Sequence, residues 1–232
     1  MIVEIKNLKK VYGNRTVVSI DHLQIDAGET IGLVGNNGAG KTTLFRMLLD
    51  LIRPDEGEIL SKGIHVAQND QWKSYTASFL DEGFLIDYLT PEEYFVFIGS
   101  LHHQSISHVM DNLKQYEEFF NGEILNSGKY IRDFSKGNQN KIGIVAAIMQ
   151  NPELLVLDEP FANLDPTTQI RLKTLLKHLK QGYNLTTIIS SHDLNHVTAV
   201  CNRIILMEKG VIIKDIPTDE NTLKELKAYF SE

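Results

Sequence analysis

The sequence predicts an α/β fold built on a mostly parallel core sheet, and three observations point there. Hydrophobic runs rich in β-branched residues recur at 30–34, 154–157, 186–189 and 203–207. Stretches with helical periodicity separate them. The runs are nearly continuous rather than alternating, the pattern of strands covered by helices on both faces.

In chain order, the first sixty residues have a different texture. Segments 2–5, 16–25 and 57–60 look like short strands joined by Gly-containing turns, which predicts an antiparallel β portion at the N-terminus. The run 30–34 leads through a Gly-rich loop into a helical pattern at 43–51, and 75–80 supplies a further strand. From about residue 90 to 150 the chain turns helical. Thr90-Pro91-Glu92-Glu93 combines an N-cap, Pro at the first helical position and acids in the first turn; a second helix start is read at Ser107, and an apolar helix at 142–149. A last helical pattern covers 218–230. With no repeat, low-complexity run or Gly/Ser linker, residues 1–232 read as one domain, with a helical subdomain at about 85–150 inserted in its core.

Composition excludes several classes. The 232 residues are 42% hydrophobic and 23% charged, with 6 prolines and 16 glycines, close to an ordinary globular protein and far from disordered, collagenous or disulfide-scaffold chains. Apolar stretches such as Ile144 to Met149 fall short of the roughly 18 residues a membrane helix needs, and Glu4 and Lys6 interrupt the N-terminus where a secretory signal would be apolar. The expected folding compartment is the cytosol. Cys201, with no second cysteine to pair with, reads as a small core residue. A net charge of −7 argues against binding the phosphate backbone of nucleic acid.

Chemistry concentrates in a few motifs. Gly35-Asn36-Asn37-Gly38-Ala39-Gly40-Lys41-Thr42-Thr43, between a strand and a helix, has the form of a phosphate-binding loop. Its glycines let the backbone wrap an anion at a helix N-terminus. Lys41 offers a point charge to the β and γ phosphates and the Thr42 hydroxyl a ligand for Mg²⁺. Leu154-Leu155-Val156-Leu157-Asp158-Glu159 puts two acids at a strand end: Asp158 to hold Mg²⁺, Glu159 to polarise an attacking water. Ser135, at a helix start with Gly137 beside it, makes a second anion site of the same kind.

The order of the motifs narrows the field. Phosphate loop, then Asp133-Phe134-Ser135-Lys136-Gly137-Asn138-Gln139, then Asp158-Glu159, then Asn163-Leu164-Asp165, then Ser190-Ser191-His192-Asp193 resembles the ATP-binding-cassette (ABC) ATPases over nearly the whole chain. The resemblance implies the P-loop NTPase fold of that family, with ATP and Mg²⁺ bound. It assigns Tyr12 to stacking on adenine, His192 to the switch histidine that contacts the γ-phosphate, Ser135 and Gly137 to the nucleotide of a second subunit, and Asp165 to the interface between the two. It further implies a homodimer or heterodimer of cassettes, docked on integral membrane permease subunits at the inner face of the cell membrane. No nucleic-acid partner is expected.

The chain also departs from the family. Phe134-Ser135-Lys136-Gly137-Asn138 replaces the usual Leu-Ser-Gly-Gly-Gln, and Lys136 resembles variants in the bacterial exporter branch with separate membrane subunits. Where the family's Q-loop glutamine is expected stand Asp81 and Glu82, which retain the chemistry to reach Mg²⁺ or its waters; Gln68 comes too early. Phe84, Leu85, Tyr88 and Phe95 read either as a docking groove for the membrane partner or as core of the helical subdomain. The expected function is the ATP-hydrolysing subunit of an ABC transporter, with export as its direction. Two alternatives are a soluble cassette ATPase of translation or DNA repair, and a regulatory cassette with weak turnover.

Overall fold

Two sheets and one helix share a layer of apolar side chains beneath the phosphate loop. The computed structural model describes residues 1–182 and 185–231, the side chains at 82, 181, 182 and 231 aside. The elements in chain order are β1 (Val3–Tyr12), β2 (Arg15–Ile25), β3 (Thr30–Val34), α1 (Lys41–Leu48), β4 (Glu56–Ser61), β5 (Ile64–His65) and β6 (Thr76–Phe79). Then follow α2 (Pro91–Leu101), α3 (Ile106–Leu113), α4 (Glu117–Phe120), α5 (Lys136–Ile148), β7 (Leu154–Leu157), α6 (Pro166–Gly182), β8 (Thr186–Ser191), α7 (Leu194–Val200), β9 (Arg203–Glu208), β10 (Val211–Pro217) and α8 (Thr222–Ser231).

The N-terminal antiparallel sheet has the order β2-β1-β4-β5, and the core sheet has the order β10-β9-β3-β8-β7-β6. Every described pairing in the core sheet is parallel except β9 with β10. The period-two alternation of side chains sends successive strand residues to opposite faces. In β7, Leu154 and Val156 join the layer shared with β1, β2 and α1, while Leu155 and Leu157 join the helices on the other side. Both faces are covered, which explains why the strand reads as an unbroken apolar run.

Several boundaries differ from expectation. β10 was not expected: its burial alternates between half-buried and exposed, with Ile213 43% exposed, so its pattern is that of an edge strand with little apolar periodicity. The second subdomain helix is capped by Ser105, whose Oγ accepts from the His108 amide, and not by Ser107. α5 starts at Lys136, directly after the helix start read at Ser135, and its turns ahead of the apolar run are polar because Gln139, Asn140 and Lys141 are buried with partners. The last helix begins at Thr222 rather than 218, after Asp219 turns the chain by accepting from the Asn221 and Thr222 amides. At α2 the reading holds: Thr90 and Glu93 form a reciprocal capping box and Pro91 opens the helix.

Of the four residues read as groove or core, Phe84 and Tyr88 are exposed, whereas Leu85 and Phe95 are buried in the subdomain core. Cys201 is buried as well, and burial pushes its thiol up to about 12. Among the described residues no helix is long and apolar enough to cross a membrane.

Candidate active site

The phosphate loop runs from the end of β3 into α1. Gly40 has φ of 106°, which an L side chain rarely adopts, and a Cβ there would lie 2.7 Å from the Val17 carbonyl oxygen. This left-handed turn aims the first amides of α1 into a cleft of about 180 Å³ lined by Val17, residues 37–43 and Glu159. The loop is braced from below: the Gly210 amide donates to the Ala39 carbonyl at 2.9 Å, and the Gly210 carbonyl accepts from the Ser19 amide at 2.8 Å. Lys41 is buried at 6% exposure, with Nζ 2.6 Å from the Gly35 carbonyl and 3.5 Å from Glu159 Oε1.

The acids sit where β7 ends. Asp158 is buried and accepts from the Thr42 hydroxyl at 2.6 Å and from the Ser190 hydroxyl at the end of β8. Burial pushes its carboxyl above the ordinary value; the Glu159 charge adds to this, and the hydrogen bonds from Ser190 and Thr42 oppose it. Glu159 follows in a left-handed conformation, φ 48°, a strain of roughly 1–2 kcal/mol for a side chain with a Cβ. Its amide is held by Ser190 Oγ at 2.8 Å, and its carboxylate reaches His192 Nδ1 at 2.9 Å. A neutral His192 in this contact carries its proton on Nδ1 and donates it to Glu159. The structure thus brings Lys41, Thr42, Asp158, Glu159 and His192 together.

The strained backbone at Glu159 turns its carboxylate between the lysine and the histidine, facing the space in front of the loop. Such a cluster can hold a polyphosphate, neutralise its charge and orient a water against its terminal phosphorus. The residues also fit a divalent cation. Thr42 and Asp158 converge as hard oxygen donors, and Mg²⁺ takes few protein ligands, filling the rest of its shell from water and phosphate oxygens.

Other expected residues lie elsewhere. Ser135 is exposed and caps α5, accepting from the Asn138 amide at 3.3 Å. Asp165 caps α6, taking the Thr168 hydroxyl at 2.5 Å and the Thr167 and Thr168 amides, bonds that hold its carboxyl below the usual range. Tyr12 ends β1 at the hairpin, half exposed, with Lys10 Nζ 5.4 Å from its ring centre. Asp81 follows β6 and is turned back onto the Gly83 amide at 2.7 Å, not onto Thr42 or Asp158. The Glu82 side chain lies outside those described.

Gly137 lies beneath the segment between Glu159 and Asp165: a Cβ there would come within 2.6 Å of the Asn163 carbonyl oxygen, which is backbone and cannot rotate away. Gly137→Ala is therefore expected to cost about 1–3 kcal/mol as overpacking, read as a lower urea midpoint with unchanged slope.

A protein-family model described as "ABC transporter" matches residues 18–162, which spans the loop, the α5 start and both acids. The chain belongs to the ABC transporter family. As a member it is an ATP-binding ABC ATPase. It is 30% identical to the bacitracin transport ATP-binding protein BcrA of Enterococcus faecalis, over 94% of this chain and 70% of that protein. It is 31% identical to the sulfate/thiosulfate import ATP-binding protein CysA of Pectobacterium atrosepticum, over 91% of this chain and 65% of that protein. A solved structure described as the ATP-binding subunit of an ABC transporter superposes with a TM-score of 0.87 at 25% identity, covering all of both chains.

For this ABC ATPase, the sequence reading places Ser190 in a motif and gives it no role. Its hydroxyl joins the Asp158 carboxylate to the Glu159 amide, partners at the end of another strand, which nothing beside Ser190 in the sequence announces.

Proposed function

We propose that residues 1–232 form one nucleotide-binding domain, with the helical insertion at about 85–150, that energises transport through separate integral membrane subunits. The observation that carries the site chemistry is the convergence of Lys41, Glu159 and His192 beside the Thr42–Asp158 pair. In this reading ATP lies along the loop, with Lys41 and the α1 amides on its phosphates and Tyr12 against adenine. Mg²⁺, held by Thr42 and Asp158, supplies charge neutralisation when bound. Glu159 takes a proton from the attacking water, oriented by its bond to His192. Ser135 and Gly137 complete the nucleotide site of a second cassette, so that ATP closes two copies and hydrolysis reopens them.

The placement this implies is the inner face of the cell membrane, through the membrane subunits. Export is the assigned direction, on the likeness of the Lys136 signature and of the segment 81–90 to the exporter branch, and on the relative named for bacitracin transport.

The full chain carrying Glu159→Gln, with ATP, is the bait in a capture from detergent-solubilised native membranes. The expected result is a polytopic membrane protein, whose identity then reports substrate and direction. Recovery of ribosomes or nucleic-acid enzymes alone overturns the transporter reading and leaves the ATPase standing.

A further inference from the structure

His196 lies four residues beyond the switch histidine, with its ring against Phe161. α7 is capped by Asp193, which directly follows His192 and whose carboxylate accepts from the Asn195 amide at 2.8 Å. The His196 ring stacks on Phe161, with ring centroids 4.6 Å apart and planes 19° from parallel. Phe161 is 3% exposed and belongs to the segment that leaves Glu159. Three contacts then fix that segment. Gln169 of α6 donates to the Phe161 carbonyl at 3.3 Å, Asn140 of α5 donates to the Ala162 carbonyl at 2.9 Å, and Gly137 lies under the Asn163 carbonyl.

The imidazole is placed as a ring and not as a charge. Its Nδ1 is buried with no hydrogen-bond partner, while Nε2 sits 3.4 Å from Asp193 Oδ2. Burial holds the group below its ordinary value; Lys173 on α6 and His192 act in the same direction, and Asp193 and Glu159 against it. The ammonium of Lys173 also lies 6.0 Å from the Phe161 ring centre. A buried nitrogen without a partner costs free energy, so what favours histidine here is its flat face against Phe161.

We propose that His196 is a positioning residue. Through its stack on Phe161 it locks the His192 segment to the segment 161–165, and through that to the N-terminal turn of α5. The inference rests on the proposed reading of the site, in which that turn faces the second nucleotide. A shift of His192 on loss of the γ-phosphate then reaches the α5 end by rigid contact: α7 moves, the ring pair moves with it, and the Ala162 and Asn163 carbonyls carry the shift to Asn140 and Gly137. The lock acts on the chemical step and on reopening, and not on ATP capture by the loop.

The test is steady-state ATPase kinetics of the full chain with His196→Leu and His196→Phe, each checked for an unchanged thermal midpoint. Phe keeps the stack without the nitrogens; Leu removes the ring. The expected result is a fall in kcat of about threefold to tenfold in His196→Leu, the size of an aromatic pair's contribution, with the KM for ATP unchanged, and kcat kept by His196→Phe. If Leu lowers the thermal midpoint, His196→Gln makes the same distinction, because it too lacks a ring. An unchanged kcat without the ring, an equal loss in the ring-bearing variant, or a loss confined to KM overturns the inference alone. A wild-type chain that turns over no ATP overturns the reading of the site beneath it, and the inference with it.

Discussion

Replacing Glu159 by Gln is expected to lower ATP turnover by about 10²- to 10⁴-fold, the range removed with a general base, while ATP binding survives. The amide keeps the size of the carboxylate and a polar partner for His192 Nδ1, but it cannot take a proton from water. The change also removes the negative charge 3.5 Å from Lys41 Nζ, so the lysine loses nothing in its attraction for phosphate. With hydrolysis stopped, the ATP-closed pair of chains has no chemical exit and accumulates. Turnover is read as phosphate release, and the dimer by size-exclusion chromatography with and without ATP. A variant that hydrolyses within tenfold of wild type and stays monomeric in saturating ATP removes Glu159 from the role given to it.

Phe95→Ala is expected to cost about 3–5 kcal/mol, the range for emptying a buried aromatic site, out of a total stability of roughly 5–15 kcal/mol. Phe95 is fully buried on α2, with Phe120 tilted at 39° and 5.8 Å away and Tyr94 at 6.3 Å. The cluster it belongs to continues through α5 to Leu155 and Leu157 of the core sheet, so the loss is felt globally and not as local fraying. Urea unfolding followed by circular dichroism measures it. A loss near 0.5 kcal/mol, typical of a surface position, would return Phe95 to the docking surface.

What the sequence makes legible follows from which physical forces leave a periodic trace. β3 and β7 are visible because burial on both faces favours apolar residues at nearly every position. The phosphate loop is visible because its backbone path admits few residues besides glycine. β10 is not visible: an edge strand half open to water needs no pattern, and its pairing with β9 is a backbone property. The start of α5 is legible from Ser135 and not from hydropathy, since Gln139, Asn140 and Lys141, ahead of the apolar run, are buried by specific hydrogen bonds that no hydropathy pattern anticipates.

The same division runs through the candidate site. Lys41, Thr42, Asp158, Glu159 and His192 are named by motif, and the fold brings them into one cluster. Ser190 and His196 act by what they touch across the fold, Asp158 in one case and Phe161 in the other, and partners so distant in sequence leave no local signature. Asp81 shows the converse: its residue type suggests a metal ligand, and here its Oδ1 accepts from the Gly83 amide.

Gly210 holds Ala39 of the phosphate loop with its amide and Ser19 of β2 with its carbonyl, so the two peptide groups flanking one Cα bolt the loop to the β1–β2 hairpin, where Tyr12 ends β1. The span from hairpin tip to loop is set by main-chain hydrogen bonds and not by rotamers, and it works as a caliper. In the proposed reading, with Tyr12 against adenine, this span gauges a nucleotide by its length from base to phosphate.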